Sequence, residues 1–370
     1  MRFIIVFLSL FFTILLGDSS LTCKSCHPTI YKEFQNSMHK KSSIYDDKVH
    51  KAIWDLHPLK KKQKYKCAKC HTPSDANKDN KQKAKEGISC ITCHRIEDIK
   101  EHSKANENIF TDKEKTFFSA KKGSEDKKII FETKSSFFGL FKKVTGSPYH
   151  NIDYTNKNYY TAKVCMGCHS HKQNSHGFEV CKTDNKGAEN KNKNCITCHM
   201  PQIKGSFNTI ETTKTHAFHG FSGAVNSPEM LEKYIKLLFK NSSNGFEITI
   251  QNNSPHALFI HPLRVAQLRV KITDKNKIRE LKPVEFVRML GNKNKPAMPW
   301  DANEIFKDNM IKANEKRVVK FPFKLTNGSM VEAVLGYYIV NPKVIEKLQL
   351  QNNKEITKFN ILKRDEFIVK

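Results

Sequence analysis

Apolar material is scarce in this 370-residue sequence: hydrophobic residues make up 38%. That is low for a self-sufficient core at a length that suggests two or three domains. Composition excludes a multi-span membrane protein and an acidic disordered chain. Acidic residues are in the minority, 37 against 64 Lys and Arg, giving a formal net charge of +27. Arginine is scarce too, at eight of the 64. A nucleic-acid binder would fit the charge alone, but the cysteines and the N-terminus point elsewhere. His, at 16, and Cys, at 11, are abundant instead.

Arg2 precedes a run from Phe3 to Leu16 with only Ser9 and Thr13 as polar members. It is too short to span a bilayer as a helix, which takes about 20 residues. With Gly17, Asp18, Ser19 and Ser20 after it, residues 1–20 read as a secretory signal peptide. An uncleaved anchor is the rival reading. The mature chain is then expected in the periplasm, with no transmembrane span and no nucleic-acid partner.

Ten of the eleven cysteines fall in one pattern, Cys-x-x-Cys-His. The copies are Cys23–Cys26–His27, Cys67–Cys70–His71, Cys90–Cys93–His94, Cys165–Cys168–His169 and Cys195–Cys198–His199. This is the attachment pattern of c-type haem. Two thiols add to the two vinyl groups on one porphyrin edge, and the adjacent His reaches the iron from one face. Zinc would need the cysteines grouped in fours and leaves the histidines unexplained. A disulfide framework also leaves them unexplained. Five covalent haem c groups are therefore expected. They bring apolar surface that a Lys- and Asn-rich chain can fold around, and propionates that offset part of the charge. The remaining surplus either steers acidic partners and anions or reflects an AT-rich genome.

The expected fold class is α+β. Residues 21–226 hold every haem motif and read as short helices and loops wrapped on haems. Within them, Lys127–Phe131 and Phe137–Phe141 read as a small hairpin. Residues 60–85 read as a solvated loop around their motif. Ser227-Pro228-Glu229 is a helix start. Leu231, Tyr234, Ile235, Leu238 and Phe239 then repeat at helical spacing, so 227–241 reads as a linking helix. Period-two runs at Phe246–Ile250, Val265–Ile272, Val318–Leu325 and Val331–Val340 predict an antiparallel, Ig-like β-sandwich over 242–341. It has no Cys and so no haem of its own. The tail 342–370 reads as one short helix and little else.

Eleven histidines lie outside the motifs: His39, His50, His57, His102, His150, His171, His176, His216, His219, His256 and His261. Five would complete bis-histidine ligation of every iron. Several segments resemble the multihaem cytochromes grouped with cytochrome c-554 and hydroxylamine oxidoreductase. They are Cys26-His27-Pro28 through Tyr31, Glu33, Ser37, Met38 and His39; Cys67 through Pro73; Glu86 through Ile96; Ser147-Pro-Tyr-His150; and Asn194 through Pro201, leading to His216-Ala-Phe218-His-Gly220. The resemblance implies His39, His150 and His216 as distal ligands. Asn252 through His256, Pro262 and Arg264 resembles an element whose His caps a haem at a domain junction, implying His256. Pro255 stands there in place of the usual Gly, and the usual Pro-Thr-Gly is missing. The fifth distal ligand is open among His102, His57, His50 and His176. Cys181, the leftover cysteine, is either a partly buried free thiol or a ligand or redox thiol near an iron.

Three functions compete. The first is an electron carrier that takes electrons from a quinol-linked or soluble cytochrome donor and passes them to a terminal acceptor. The second is a reductase or oxidase of a small nitrogen or sulfur species at one open haem. Against it, no Cys-x-x-Cys-Lys occurs, and five haems are fewer than the octahaem enzymes carry. The third is a partner-binding module built on the sandwich.

Overall fold

The computed structural model describes residues 19–75, 80–136, 141–183 and 192–370. Almost all of the expected signal peptide lies outside them. No helix among the described residues is long and apolar enough to cross a membrane.

The haem-motif region is built from single turns. Helices Ala68–His71, Cys90–His94, Met166–His169 and Cys195–His199 each carry a motif. One helical turn puts positions i, i+3 and i+4 on one face, so both thiols and the imidazole point the same way. Polar caps start two of these turns: Ser89 accepts from the Thr92 amide, and Asn194 forms a capping box with Thr197. Pro28 begins helix Pro28–Asn36 directly after His27. Asp47 caps Lys48–Leu56 by accepting from the amides of Val49 and His50.

Between the motifs run short ladders. Ile96–Lys100 pairs with Glu107–Phe110, His171–Gln173 with Glu179–Lys182, and Gln202–Lys204 with Thr215–Ala217. The expected hairpin exists but is displaced: Glu132–Ser136 pairs with Phe141–Thr145. Residues 137–140 of the predicted second strand lie outside the described residues. A small buried cluster here holds Ile96, Ile99, Phe118, Tyr159 and Val164. A second cluster holds Trp54, Tyr65 and Ala68. Two clusters this small do not make a core for some 200 residues, as expected where haem supplies the apolar filling.

The C-terminal region is a two-sheet sandwich. One sheet orders Ile235–Ser242, Gly245–Asn252 and Lys316–Phe321. The other orders Lys277–Glu280, Val265–Asp274, Met330–Tyr338 and Asn360–Ile368, with Val284–Phe286 added on Val265–Asp274. Alternate residues enter the core, where Ile248, Ile250, Leu268, Val331 and Leu335 have no exposed surface. A third ladder, Arg288–Asn292 with Glu304–Asp308 and Lys295–Pro296, reaches the haem region. There Leu290 and Ala302 pack on Val180 and Phe178, and Asn174 donates to the carbonyls of Pro299 and Ala302.

Two expectations are corrected. The linking helix stops early: Pro228–Tyr234 is a 3-10 helix, and Ile235–Ser242 is a strand paired along its length with Gly245–Asn252. Ile235 and Leu237 are buried while Leu238 is 46% exposed, so the burial period is two, not 3.6. The tail is not loose either. After helices Pro342–Ile345 and Lys354–Thr357, strand Asn360–Ile368 pairs with Met330–Tyr338 and completes the second sheet.

Candidate haem sites

Four of the five motif histidines point Nδ1 at a backbone carbonyl. His27 faces Phe207 at 2.8 Å, His71 faces Ser42 at 3.2 Å, His94 faces Phe118 at 2.7 Å and His199 faces Ser222 at 2.5 Å. A carbonyl only accepts, so Nδ1 carries the proton and Nε2 is left bare for a metal. Burial reinforces this by pushing the pKa of His71 down to about 3, which favours the neutral ring that coordination requires.

Four motif histidines also face a second imidazole. The ring centroids are 6.3 Å apart for His27 and His150, and 6.3 Å for His94 and His219. They are 6.1 Å apart for His199 and His256, and 5.9 Å for His169 and His39. Two imidazoles on opposite faces of one iron, each bonded at about 2 Å, place their centroids about 6 Å apart. The spacing therefore fits a haem between the rings and is too wide for direct stacking. Among the described residues no group of three or more His, Cys, Asp or Glu could chelate a bare ion. Trans pairs are what haem needs; zinc needs clusters.

His39, His150 and His256, three histidines that the resemblance implied, thus stand opposite motif histidines. His216 does not take the position implied for it. Its Nδ1 faces the Gly205 carbonyl at 3.0 Å and its Nε2 faces Glu33 Oε1 at 2.8 Å, so neither nitrogen is available to iron. His219 stands opposite His94 instead. Glu33 also accepts from the His219 amide at 2.9 Å. His216 and Glu33 together brace the segment that carries His219.

His71 is the exception. Its ring meets His50 at 4.1 Å, too close for an intervening iron. Both Nδ1 atoms face the Ser42 carbonyl, and His50 Nε2 is 3.0 Å from the Tyr65 hydroxyl. His50 therefore sits behind His71, away from its iron-binding nitrogen. Of the other candidates, His102 is exposed, with its Nδ1 accepting from the Lys104 amide. It faces no motif histidine among the described ring contacts. His176 is exposed as well. His57 packs against Trp54 and Trp300. His261, absent from the four, is close enough for its charge to lower the His71 pKa.

The motifs also meet one another. Thiols interact between Cys23 and Cys90, Cys70 and Cys168, and Cys165 and Cys195. Cys93 is near enough to act on Cys165 and Cys168. Cys181 lies in strand Glu179–Lys182, and burial pushes its thiol pKa up. That disfavours a thiolate and agrees with a plain buried thiol. The fifth motif opens on a cavity of about 170 Å³ between the two regions. Cys195, Cys198 and His199 line one side, and His256, Leu258, Phe259, Arg264 and Tyr337 the other.

Residues 22–95 match the family model of cytochrome c554 and c-prime. The chain has the fold of a penta-haem cytochrome c552 from Thermochromatium tepidum, at TM-score 0.71 and 23% identity, covering 95% of this chain and 98% of that one. A superoxide reductase overlaps 37% of this chain and 86% of its own at 7% identity and TM-score 0.21, too low to carry an argument. No curated protein matches the chain. Its own five motifs, the family match at its N-terminal end and the fold it shares make the chain a multihaem c-type cytochrome carrying covalently bound haem c.

Proposed function

We propose that this chain is a periplasmic electron carrier that relays electrons between respiratory partners through five closely packed haems. The observation that carries the reading is the set of four imidazole pairs with centroids 5.9–6.3 Å apart. Two histidines on an iron keep it closed to substrate and tune it for electron transfer. In motif order, haem 1 is ligated by His27 and His150, haem 3 by His94 and His219, haem 4 by His169 and His39, and haem 5 by His199 and His256. The thiol contacts order the relay. Haem 1 adjoins haem 3, haem 3 adjoins haem 4, and haems 2 and 5 both adjoin haem 4. The route forks at haem 4, with haems 2 and 5 as its two ends.

Haem 2 also supports the second reading. Among the described residues no ring pair at 5.9–6.3 Å includes His71, but His261 is near enough to act on it. Haem 2 is therefore either closed by His261 or the one haem open to exchange. An end haem with an exchangeable site is where a small nitrogen or sulfur species would react. Electron paramagnetic resonance of the oxidised, haem-loaded protein tests both readings. Five low-spin haems are expected if His261 completes haem 2, and four low-spin haems with one high-spin haem if it does not. Two or more high-spin haems would overturn the pairing. Adding nitrite, hydroxylamine or sulfite then separates carrier from enzyme: catalytic consumption at the high-spin haem favours the enzyme.

A further inference from the structure

The haem 5 cavity contains a charge with no counter-charge among the described residues. Arg264 lines it beside Met166, His199, His256 and Tyr337. By surface it is half-buried, and that surface opens on the cavity. Burial lowers its pKa, and among the described residues no carboxylate pairs with its guanidinium. Arginine stays protonated at any ordinary pH. An unpaired charge enclosed by protein is costly, so such groups are paired with an anion. The walls offer none: much of the remaining lining is Leu231, Ile235, Leu258, Phe259 and Leu362. The cavity also lies between the thiols of Cys195 and Cys198 and the imidazole of His256, where a porphyrin has to lie. A porphyrin brings its own anions, the two propionates. The guanidinium fork matches a carboxylate with two parallel hydrogen bonds.

We propose that Arg264 binds a propionate of the haem attached at Cys195 and Cys198, so that one sandwich loop supplies both the iron ligand His256 and the carboxylate's counter-ion. This rests on the haem reading of the fifth motif. Two consequences follow. The sandwich is fastened to haem 5 at two points, one on the iron and one on the porphyrin edge. The fixed positive charge also disfavours the ferric state, so it raises the potential of haem 5 above what the propionate alone would set.

The test uses the full haem-loaded chain and Arg264→Gln. Mass spectrometry counts haems, and a redox titration followed by visible and paramagnetic resonance spectra resolves the midpoints. The expected result is five haems, with one midpoint moved to lower potential and given a new pH dependence as the freed propionate titrates. The haem that moves is expected to be the one whose low-spin signal His256→Ala removes. Five haems with every midpoint unmoved overturns the proposal. Should the glutamine variant fail to fold, Arg264→Lys serves: charge is kept, the fork is lost, and a smaller shift in the same direction is expected at that haem. No shift at any haem in the lysine variant also overturns it. A wild-type mass short of five haems would sink the haem reading itself, and the proposal with it.

Discussion

His216 and His219 stand three residues apart in one short segment, and only one of them faces a motif histidine. The resemblance implied His216, whereas the ring opposite His94 belongs to His219; both side chains have the right chemistry. What separates them is the company each nitrogen keeps. Glu33, 183 residues away from His216, takes its Nε2, and no local pattern announces that contact. Replacing His219 with Ala is expected to convert one of the low-spin haems to high-spin. Replacing His216 with Ala is expected to leave the number of low-spin haems unchanged, since Glu33 still holds the His219 amide. The reverse outcome in the two resonance spectra would reassign the ligand. The five attachment motifs were fully legible in the sequence, because covalent chemistry dictates their spacing within one helical turn. The distal ligands were only partly legible, because any surface of the fold can deliver them.

Elements were read well where burial follows one face and poorly where two periods coincide. Gly245–Asn252, Val265–Asp274 and Met330–Tyr338 fall close to their predicted bounds, since the first two alternate buried with open positions and the third is a β-branched and apolar run buried from Ala333 to Tyr337. Ile235–Ser242 misled because Leu231, Tyr234, Ile235, Leu238 and Phe239 also suit a helix, and only pairing with Gly245–Asn252 decides between the two. Asn360–Ile368 was hidden by its charges. Lys363, Arg364, Asp365 and Glu366 sit at the sheet edge, where charges guard against unwanted pairing. Lys363 also bonds Glu232 at 2.9 Å. A pair of substitutions checks the strand assignment. Leu335→Ala, at a position with no exposed surface opposite Leu268, is expected to cost about 2–5 kcal/mol in denaturant unfolding. Leu238→Ala, at 46% exposure, is expected to change stability by no more than about 0.5 kcal/mol. Equal, large losses at both would mean that Leu238 faces a core and that the strand is misassigned.

At the scale of the whole molecule, the haem region and the sandwich depend on each other. Among the described residues the haem region holds only small apolar clusters of its own, and the sandwich, which has a large core, supplies His256 in the proposed ligation of haem 5. This leaves the outer surface to meet partners, and the chain's charge of +27, reduced by the propionates, lies there. Steering by such a surface acts on encounter rates, and salt screens it with a Debye length of about 10 Å at 0.1 M. Reduction by a small anionic reductant such as dithionite is therefore expected to slow as salt is raised from low to physiological strength. Reduction by an uncharged reductant is expected to be nearly indifferent. Stopped-flow traces at the haem absorption bands measure both. If the anionic reductant shows no salt dependence, the lysines do not steer partners, and their abundance records only the composition of the chain.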